Sequence, residues 1–280
     1  MSAKTFFSLI KIEHTLFALP LALTGAVLGA RGMPDLWTLL LMAVAFTAAR
    51  AAAMAFNRLV DSRLDAQNPR TAEREIPTGA VSVPSVWIFT GIAIALFLMV
   101  PWAINPLCGK LAPVALAILL GYSYTKRFTA LCHYLLGLAL GMAPVAGWIA
   151  VTGTWAWPPV VLGLGVIFWT AGFDILYACQ DVEFDREKGL HSIPANLGTG
   201  KAMKLAALSH LVAFTFFLLA GLLASLGAAF YFLSLITGGL LFYEHRLVAP
   251  DNLSKLDMAF FKVNSLVSAS LLLAVIMGLL

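Results

Sequence analysis

Charge is what this 280-residue chain has least of. Asp, Glu, Lys and Arg together make up 11% of it, against 61% hydrophobic residues and a mean hydropathy of +0.90. A soluble domain of this size cannot bury that much apolar surface, so the water-soluble classes are excluded. Cysteine is nearly as scarce. Cys108, Cys132 and Cys179 stand far apart with no CxxC pair, which excludes a disulfide framework and a thiolate metal centre. Basic tracts are missing too. The net charge of +4 is spread over short segments between apolar runs, so nucleic acid is not expected as a partner.

What fills the chain instead is apolar runs. Runs of about 18 or more residues span a membrane as helices. Nine are present, at 15–31, 36–57, 84–104, 111–123, 131–152, 159–180, 202–223, 226–244 and 258–279. The fourth is short by its letters, and the break at 223–226 rests on Gly221, Ser225 and Gly227. Nine spans make the intervening segments alternate sides. One side then carries Arg58, Arg63, Arg70, Arg74, Lys126, Arg127, Arg186, Lys188 and the other loop cations, and the opposite side carries Arg31 and Lys110. The positive-inside rule makes the first side cytoplasmic. The amino terminus is expected inside and the carboxyl terminus outside, in the inner (cytoplasmic) membrane. The first run is expected to be retained as a span, although Ala26–Ala30 has some likeness to a leader cleavage site.

Polar residues that intrude on these runs are costly and therefore informative. Asn57, Asp61 and Asp65 stand four apart, which stacks them on one helical face about 6 Å from neighbour to neighbour. Arg50, inside the same run, falls seven residues before Asn57 on nearly the same face. The segment after Asp65 is rich in Pro and holds Arg70 and Arg74. It reads as a lid whose guanidinium forks clamp phosphate oxygens. A second ladder ends the sixth run: Asp174, Tyr177, Asp181 and Asp185, expected on one face at i, i+3, i+7 and i+11. Its loop carries Arg186, Lys188, His191, Ser192 and Pro194. Between the ladders, Tyr122-Ser-Tyr124-Thr-Lys126-Arg127 ends the fourth run with two phenols and two cations.

Carboxylates so placed suit Mg²⁺, which takes one or two of them together with waters and phosphates. Two such ladders facing one another would hold metal ions against a diphosphate. An allylic diphosphate in the bilayer meets all of these features. Its tail belongs in lipid and its head belongs at the cytoplasmic rim. Mg²⁺ on Asn57, Asp61, Asp65, Asp181 and Asp185 would neutralise the diphosphate. Lys126, Arg70 and Arg74 would stabilise charge on the departing group, and apolar walls would keep water from the allyl cation. Arg50, deeper in the membrane, would anchor the carboxylate of an electron-rich acceptor. His14 either touches substrate or sits at the headgroup level. His191 is either a ligand or base or a solvated loop residue. Asn264 either bonds a neighbouring helix or lines the cavity. The runs from 202 onward read as plain lipid-facing or core material.

The Asn57/Asp61/Asp65 ladder, Arg70-Thr71 with Arg74, Tyr124-Thr-Lys126-Arg127 and the Asp174/Tyr177/Asp181/Asp185 ladder together resemble the UbiA family of membrane prenyltransferases, over nearly the whole chain. The resemblance implies an all-α integral membrane protein: a nine-transmembrane-helix bundle, one domain over 1–280, with a central cavity capped by cytoplasmic loops. It implies Mg²⁺ dependence. It also implies Asp61, Asp65, Asp174, Asp181 and Asp185 in catalysis, with Arg50, Asn57, Arg70, Arg74, Tyr124, Lys126 and Tyr177 on the substrates. The stretches 14–20, 122–128 and 180–192 are similar to 4-hydroxybenzoate polyprenyltransferases. The expected partners are therefore a polyprenyl diphosphate, an aromatic hydroxy acid and membrane lipid, in quinone biosynthesis. A hydroxynaphthoate of futalosine-pathway menaquinone synthesis is the alternative acceptor. A cation-coupled membrane transporter is the alternative of a different class. Its sites lie near the midplane on broken helices, whereas these ladders lie at the cytoplasmic ends.

Overall fold

A computed structural model describes residue 9, residues 12–256 and residues 258–280, with side chains at Leu9 and from residue 18 onward. The chain before Ile12, apart from Leu9, and the side chain of His14 lie outside the described residues. Among those described the chain is helical, with a single isolated bridge between Ala249 and Asn252 in place of a sheet. It divides into two compact units. One comprises Leu36–Tyr124 with the chain before Phe17, and the other Phe17–Asp35 with Thr125–Leu280.

The first unit holds α2 (Leu36–Asp65), α3 (Val83–Ile104) and α4 (Pro106–Thr125, which crosses the boundary at its last residue). Alanines line the face of α2 that packs on α3, and their small side chains bring the two backbones close. Ala51 and Ala52 meet Ala93. Leu9, Ala55, Leu59, Val81 and Val86 form a second cluster with Ile76 and Phe89 against it. Ser82 caps α3, accepting from Ser85 N at 3.4 Å, and Pro84 sits in the first turn, where its missing N–H costs nothing. Asn105 alone separates α3 from α4. Its own N–H closes on Pro101 O, and its Oδ1 accepts from Cys108 N at 2.9 Å to cap the next helix. That cap makes α4 a 20-residue helix, longer than its apolar letters predict.

The second unit holds most of α1 (Ile12–Ala30), then α5 (Cys132–Thr152) and α6 (Trp157–Ala178). Two short helices come next, α7 (Val182–Glu187) and α8 (Ile193–Leu197). The long α9 (Thr199–Leu223), α10 (Ala228–Leu247) and α11 (Asn264–Leu279) complete it, and α11 is preceded by a π-helical turn over Met258–Val263. α6 packs on both α5 and α9, and α10 packs on α11. The small-residue pattern of α5 explains its packing. A Cβ at Gly137 would strike the backbone of Ile167, one at Gly141 would strike Gly163 O, and one at Gly147 would strike Ala22 O of α1. The expected break after the seventh run is present. α9 ends at Leu223, Ser225 takes a left-handed φ of 55°, and α10 begins at Ala228.

Each of the nine apolar runs contains a helix. Among the described residues, seven helical segments are long and apolar enough to cross a membrane. α1 contributes the shorter apolar stretch Ala18–Ala30, and α10 ends in the polar Tyr243-Glu244-His245-Arg246. Trp37, Trp87, Ile88, Met99, Leu211, Leu222, Phe232 and Phe242 stand exposed, the apolar exterior that lipid requires of an integral membrane protein.

The last runs are not plain. Asn264 is fully buried. Its Nδ2 donates to Glu244 Oε1 (3.1 Å) and to the carbonyls of Phe260 (3.0 Å) and Ala259 (3.3 Å), and its Oδ1 accepts from Trp169 Nε1 (2.7 Å). A π-turn leaves carbonyls without their usual partners, and Asn264 satisfies two of them while tying α11 to α10 and α6. Buried His210 and half-buried His245 continue the network, with His245 Nε2 and His210 Nδ1 2.9 Å apart and His210 Nε2 3.1 Å from Trp169 O. His210 and Glu244 inside apolar runs were the sequence signal for it.

Candidate active site

The first ladder stands on an unbroken helix. α2 runs on to Asp65, past the end of its apolar letters, so the four-residue spacing becomes a real stack. Asn57 Nδ2 lies 3.2 Å from Asp61 Oδ2 and 3.4 Å from the Oγ of Ser123 on α4. Asp61 and Asp65 are buried, at 2% and 5% exposure. Carboxylates this far from water require counter-charge. Asp65 Oδ1 receives Arg74 Nη1 at 2.7 Å. Asp65 Oδ2 is buried and has no hydrogen-bond partner among the described residues. An anionic oxygen left in that state costs upward of about 1–3 kcal/mol, and a bound cation removes the penalty.

Residues 66–82 are a chain of tight turns. Thr71 Oγ1 donates to Asp65 O (3.1 Å), Asn68 Oδ1 accepts from Arg70 N (2.9 Å), and Val81 N reaches back to Glu75 O (3.1 Å). The segment thereby carries Arg74 onto the ladder. Arg70 is exposed. Arg50 sits seven residues before Asn57, about 10.5 Å up the helix. Its Nε and Nη2 are buried without a hydrogen-bond partner among the described residues. Arg58, which the alternation of loops placed with the cytoplasmic cations, is buried at 4% exposure within α2. Tyr124 is exposed, its ring edge-on to Phe56 at 6.0 Å.

The second ladder does not stand on one regular helix. α6 stops at Ala178, the backbone tightens to a 3₁₀ turn over Cys179–Asp181, and α7 restarts at Val182. Three residues at 3.0 per turn instead of 3.6 rotate α7 by roughly 60° from the position a continuous helix would give it. Asp174 and Tyr177 are on α6, Asp181 is in the tight turn and Asp185 is on α7. Asp174, Tyr177 and Asp185 are half-buried, as is Asp181.

Neighbours outside the ladder hold these residues. His133 Nδ1 lies 2.6 Å from Asp174 Oδ2, and Ser192 Oγ donates to Asp185 Oδ2 at 2.6 Å. Tyr177 packs on Phe260 of the π-turn, centroids 4.3 Å apart. Lys126 and Asp181 both act electrostatically on Asp185. Arg186 Nε is committed to Ala195 O at 2.8 Å. His191 is exposed and works through its backbone, donating to Lys126 O (2.7 Å) and accepting from Cys132 Sγ (3.4 Å). His133 had one sequence signal, a histidine at the start of an apolar run. Ser192 had only its place beside Pro194.

Among the described residues no group of three or more His, Cys, Asp or Glu side chains converges into a self-sufficient metal cage. Each ladder instead offers oxygen donors, Asp61 and Asp65 in the first and Asp174, Asp181 and Asp185 in the second, with the buried Asp65 Oδ2 unsatisfied. That fits Mg²⁺, which leaves most of its coordination to water and phosphate, and does not fit a structural zinc site.

Residues 18–266 match the UbiA prenyltransferase family. The chain is 30% identical over 268 residues to a 4-hydroxybenzoate octaprenyltransferase of Vibrio atlanticus, covering 94% of this chain and 93% of that protein. It is 29% identical over 287 residues to the one from Vibrio cholerae, covering 98% and 99%. Among solved structures, the apo form of a UbiA homolog from Aeropyrum pernix K1 is 32% identical with a TM-score of 0.86, over 96% of this chain and 99% of that one. A UbiA homolog from Archaeoglobus fulgidus, bound to GPP and Mg²⁺, is 22% identical with a TM-score of 0.73, over 97% and 99%.

Proposed function

The chain belongs to the UbiA prenyltransferase family, and from that membership we propose that it transfers a polyprenyl group from polyprenyl diphosphate to an aromatic hydroxy acid, 4-hydroxybenzoate, in quinone biosynthesis. The protein is read as one domain over 1–280 that crosses the inner membrane nine times. Its amino terminus and site face the cytoplasm and its carboxyl terminus lies outside.

The observation that carries the acceptor is Arg50. A guanidinium inside an apolar helix, with Nε and Nη2 buried and unpartnered among the described residues, wants an anion. A carboxylate accepts its fork bidentately, and a hydroxybenzoate supplies both that carboxylate and an electron-rich ring. Asn57, Asp61, Asp65, Asp181 and Asp185 offer the oxygens that hold Mg²⁺ on the diphosphate. Mg²⁺, when bound, neutralises diphosphate charge and eases departure of the leaving group. Arg70, Arg74 and Lys126 stabilise the charge that develops on the departing oxygens. Tyr124 and Tyr177 contact substrate at the ends of their helices. Asp174, held in one orientation by His133, faces the reacting groups.

Prenyl transfer by the purified protein, with Mg²⁺ and geranyl diphosphate and with 4-hydroxybenzoate and a hydroxynaphthoate in competition, tests this. Product from benzoate is the expected result. Product from naphthoate alone moves the assignment to menaquinone synthesis. No product from either, with wild type and Asp61→Ala alike, overturns the reading and favours a cation-coupled transporter, which uptake by vesicles would then show.

A further inference from the structure

The second ladder poses a mechanical problem. A continuous helix fixes the spacing of its own side chains, but the 3₁₀ turn at Cys179–Asp181 interrupts this one between Asp174 and Asp185. Something outside the helix must set the relation between its end carboxylates.

The dipeptide Ser192-Ile193 and the ring of His133 do so. Ile193 N donates to His133 Nε2 at 3.2 Å, so Nε2 is the acceptor and the ring proton is on Nδ1, directed at Asp174 Oδ2. One residue earlier, Ser192 Oγ accepts from Ala195 N (3.3 Å) as the cap of α8, which turns its only proton toward Asp185 Oδ2. The path Asp174–His133–Ile193–Ser192–Asp185 is therefore closed by three polar contacts, each with its donor assigned. His133 is 3% exposed and Ser192 4%, so water does not compete for these contacts. The loop is pinned again at its start, by His191 N on Lys126 O. Each end carboxylate gives one oxygen to the path and keeps its other oxygen without a hydrogen-bond partner among the described residues.

We propose that His133 and Ser192 are positioning residues, a brace that fixes Asp174 and Asp185 across the broken helix and so sets how tightly the second ladder holds a divalent cation with diphosphate. The proposal rests on the reading of that ladder as an Mg²⁺–diphosphate site. Outer partners of metal-binding side chains change affinity by about 10–100-fold when removed, and that is the range expected here.

The probe is Mn²⁺ titrated by electron paramagnetic resonance into full-length protein with inorganic pyrophosphate, reading the component of the isotherm that Asp181→Ala removes. If Asp181→Ala removes nothing, the ladder is not the metal site and the underlying functional reading falls. Where it does remove a component, the brace is tested by further variants. Ser192→Ala should weaken that component about tenfold or more, and Ser192→Thr, which keeps the hydroxyl, should restore it. His133→Gln, whose amide oxygen reaches the Nε2 position, keeps the Ile193 anchor but gives up the Nδ1 donor to Asp174, and so should lose affinity. His133→Asn reproduces only the Nδ1 donor and should lose it. The double variant His133→Asn/Ser192→Ala should be no worse than the poorer single one, since both cut the same path. Wild-type affinity in Ser192→Ala or in either His133 variant, or multiplicative losses in the double variant, would overturn the brace. Thermal unfolding without metal, run alongside, identifies a variant whose loss is merely one of folding.

Discussion

Replacing Arg50 by Met separates stability from function with opposite signs. Met approximates the length of the arginine stem and carries no charge, so it leaves little cavity and removes the need to solvate a guanidinium. In the protein without acceptor, Arg50 Nε and Nη2 are buried with nothing to bond among the described residues. Exchanging buried charge for a well-packed apolar side chain is neutral or stabilising by about 1–4 kcal/mol in comparable settings. The thermal transition of Arg50→Met in detergent should therefore match or exceed that of wild type. Binding of the acceptor should suffer. A hydrogen bond to a charged group contributes about 1.5–3 kcal/mol, and each ~1.4 kcal/mol is a factor of ten. The acceptor KM should rise about 10–100-fold, with the diphosphate KM nearly unchanged. A neutral acceptor lacking the carboxylate should be insensitive to the substitution. A lower transition temperature together with an unchanged acceptor KM would show that Arg50 is a structural cation, and the acceptor assignment would lose its support.

Other perturbations act on the same contacts. Asp61→Ala removes a buried carboxylate of the first ladder and should lower kcat on the order of a hundredfold or more, with secondary structure intact by circular dichroism. Arg74→Ala strips Asp65 of the ion pair at 2.7 Å. It should raise the diphosphate KM and steepen the dependence on Mg²⁺ concentration, and an unchanged Mg²⁺ profile would argue against Asp65 as a ligand. Asn264→Ala leaves Trp169 Nε1 and two π-turn carbonyls unsatisfied, and should cost about 2–3 kcal/mol in a denaturation series whatever the substrate. Gly137→Val drives a side chain into the backbone of Ile167. It should destabilise by about 1–3 kcal/mol or more, because neither backbone can yield, and a wild-type melting curve would refute the close packing of α5 on α6.

How much was legible in advance depended on how far apart in the chain the cooperating residues lie. Hydropathy is a local property, so each apolar run marked a helix. Only the ends moved, where Asn105 capped α4 earlier than its letters suggested and where α2 carried on through its polar residues to Asp65. The first ladder was legible for the same reason: Asn57, Asp61 and Asp65 need nothing but one regular helix to come together. The burial of Arg58 was not legible, because charge alone cannot distinguish a cation exposed at a membrane edge from one folded inward, within electrostatic reach of Asp65, Glu75 and Tyr122. The fate of Asn264 was undecidable from spacing, since its partners Glu244 and Trp169 lie 20 and 95 residues away.

The second ladder shows where sequence periodicity stops serving as a guide to a site. Its residues repeat at helical intervals, yet the backbone beneath them tightens for three residues and turns α7 by roughly 60°. Nothing in Cys179-Gln180-Asp181 announces that change. The geometry that replaces the helix comes from His133, 41 residues before Asp174, and from Ser192, seven after Asp185. A broken helix with an external brace offers something that a straight one does not. Its end carboxylates can be set by a loop, and a loop accepts substitution more readily than a buried helix face. On this reasoning, changes confined to residues 186–195 should retune metal and diphosphate affinity in the second unit, with the first ladder unaffected. Exchanging that loop, as a block, for one of equal length that keeps Ser192 but has Ala in place of Arg186 and Lys188 should preserve the Mn²⁺ component. Exchanging it for one without a hydroxyl at 192 should not.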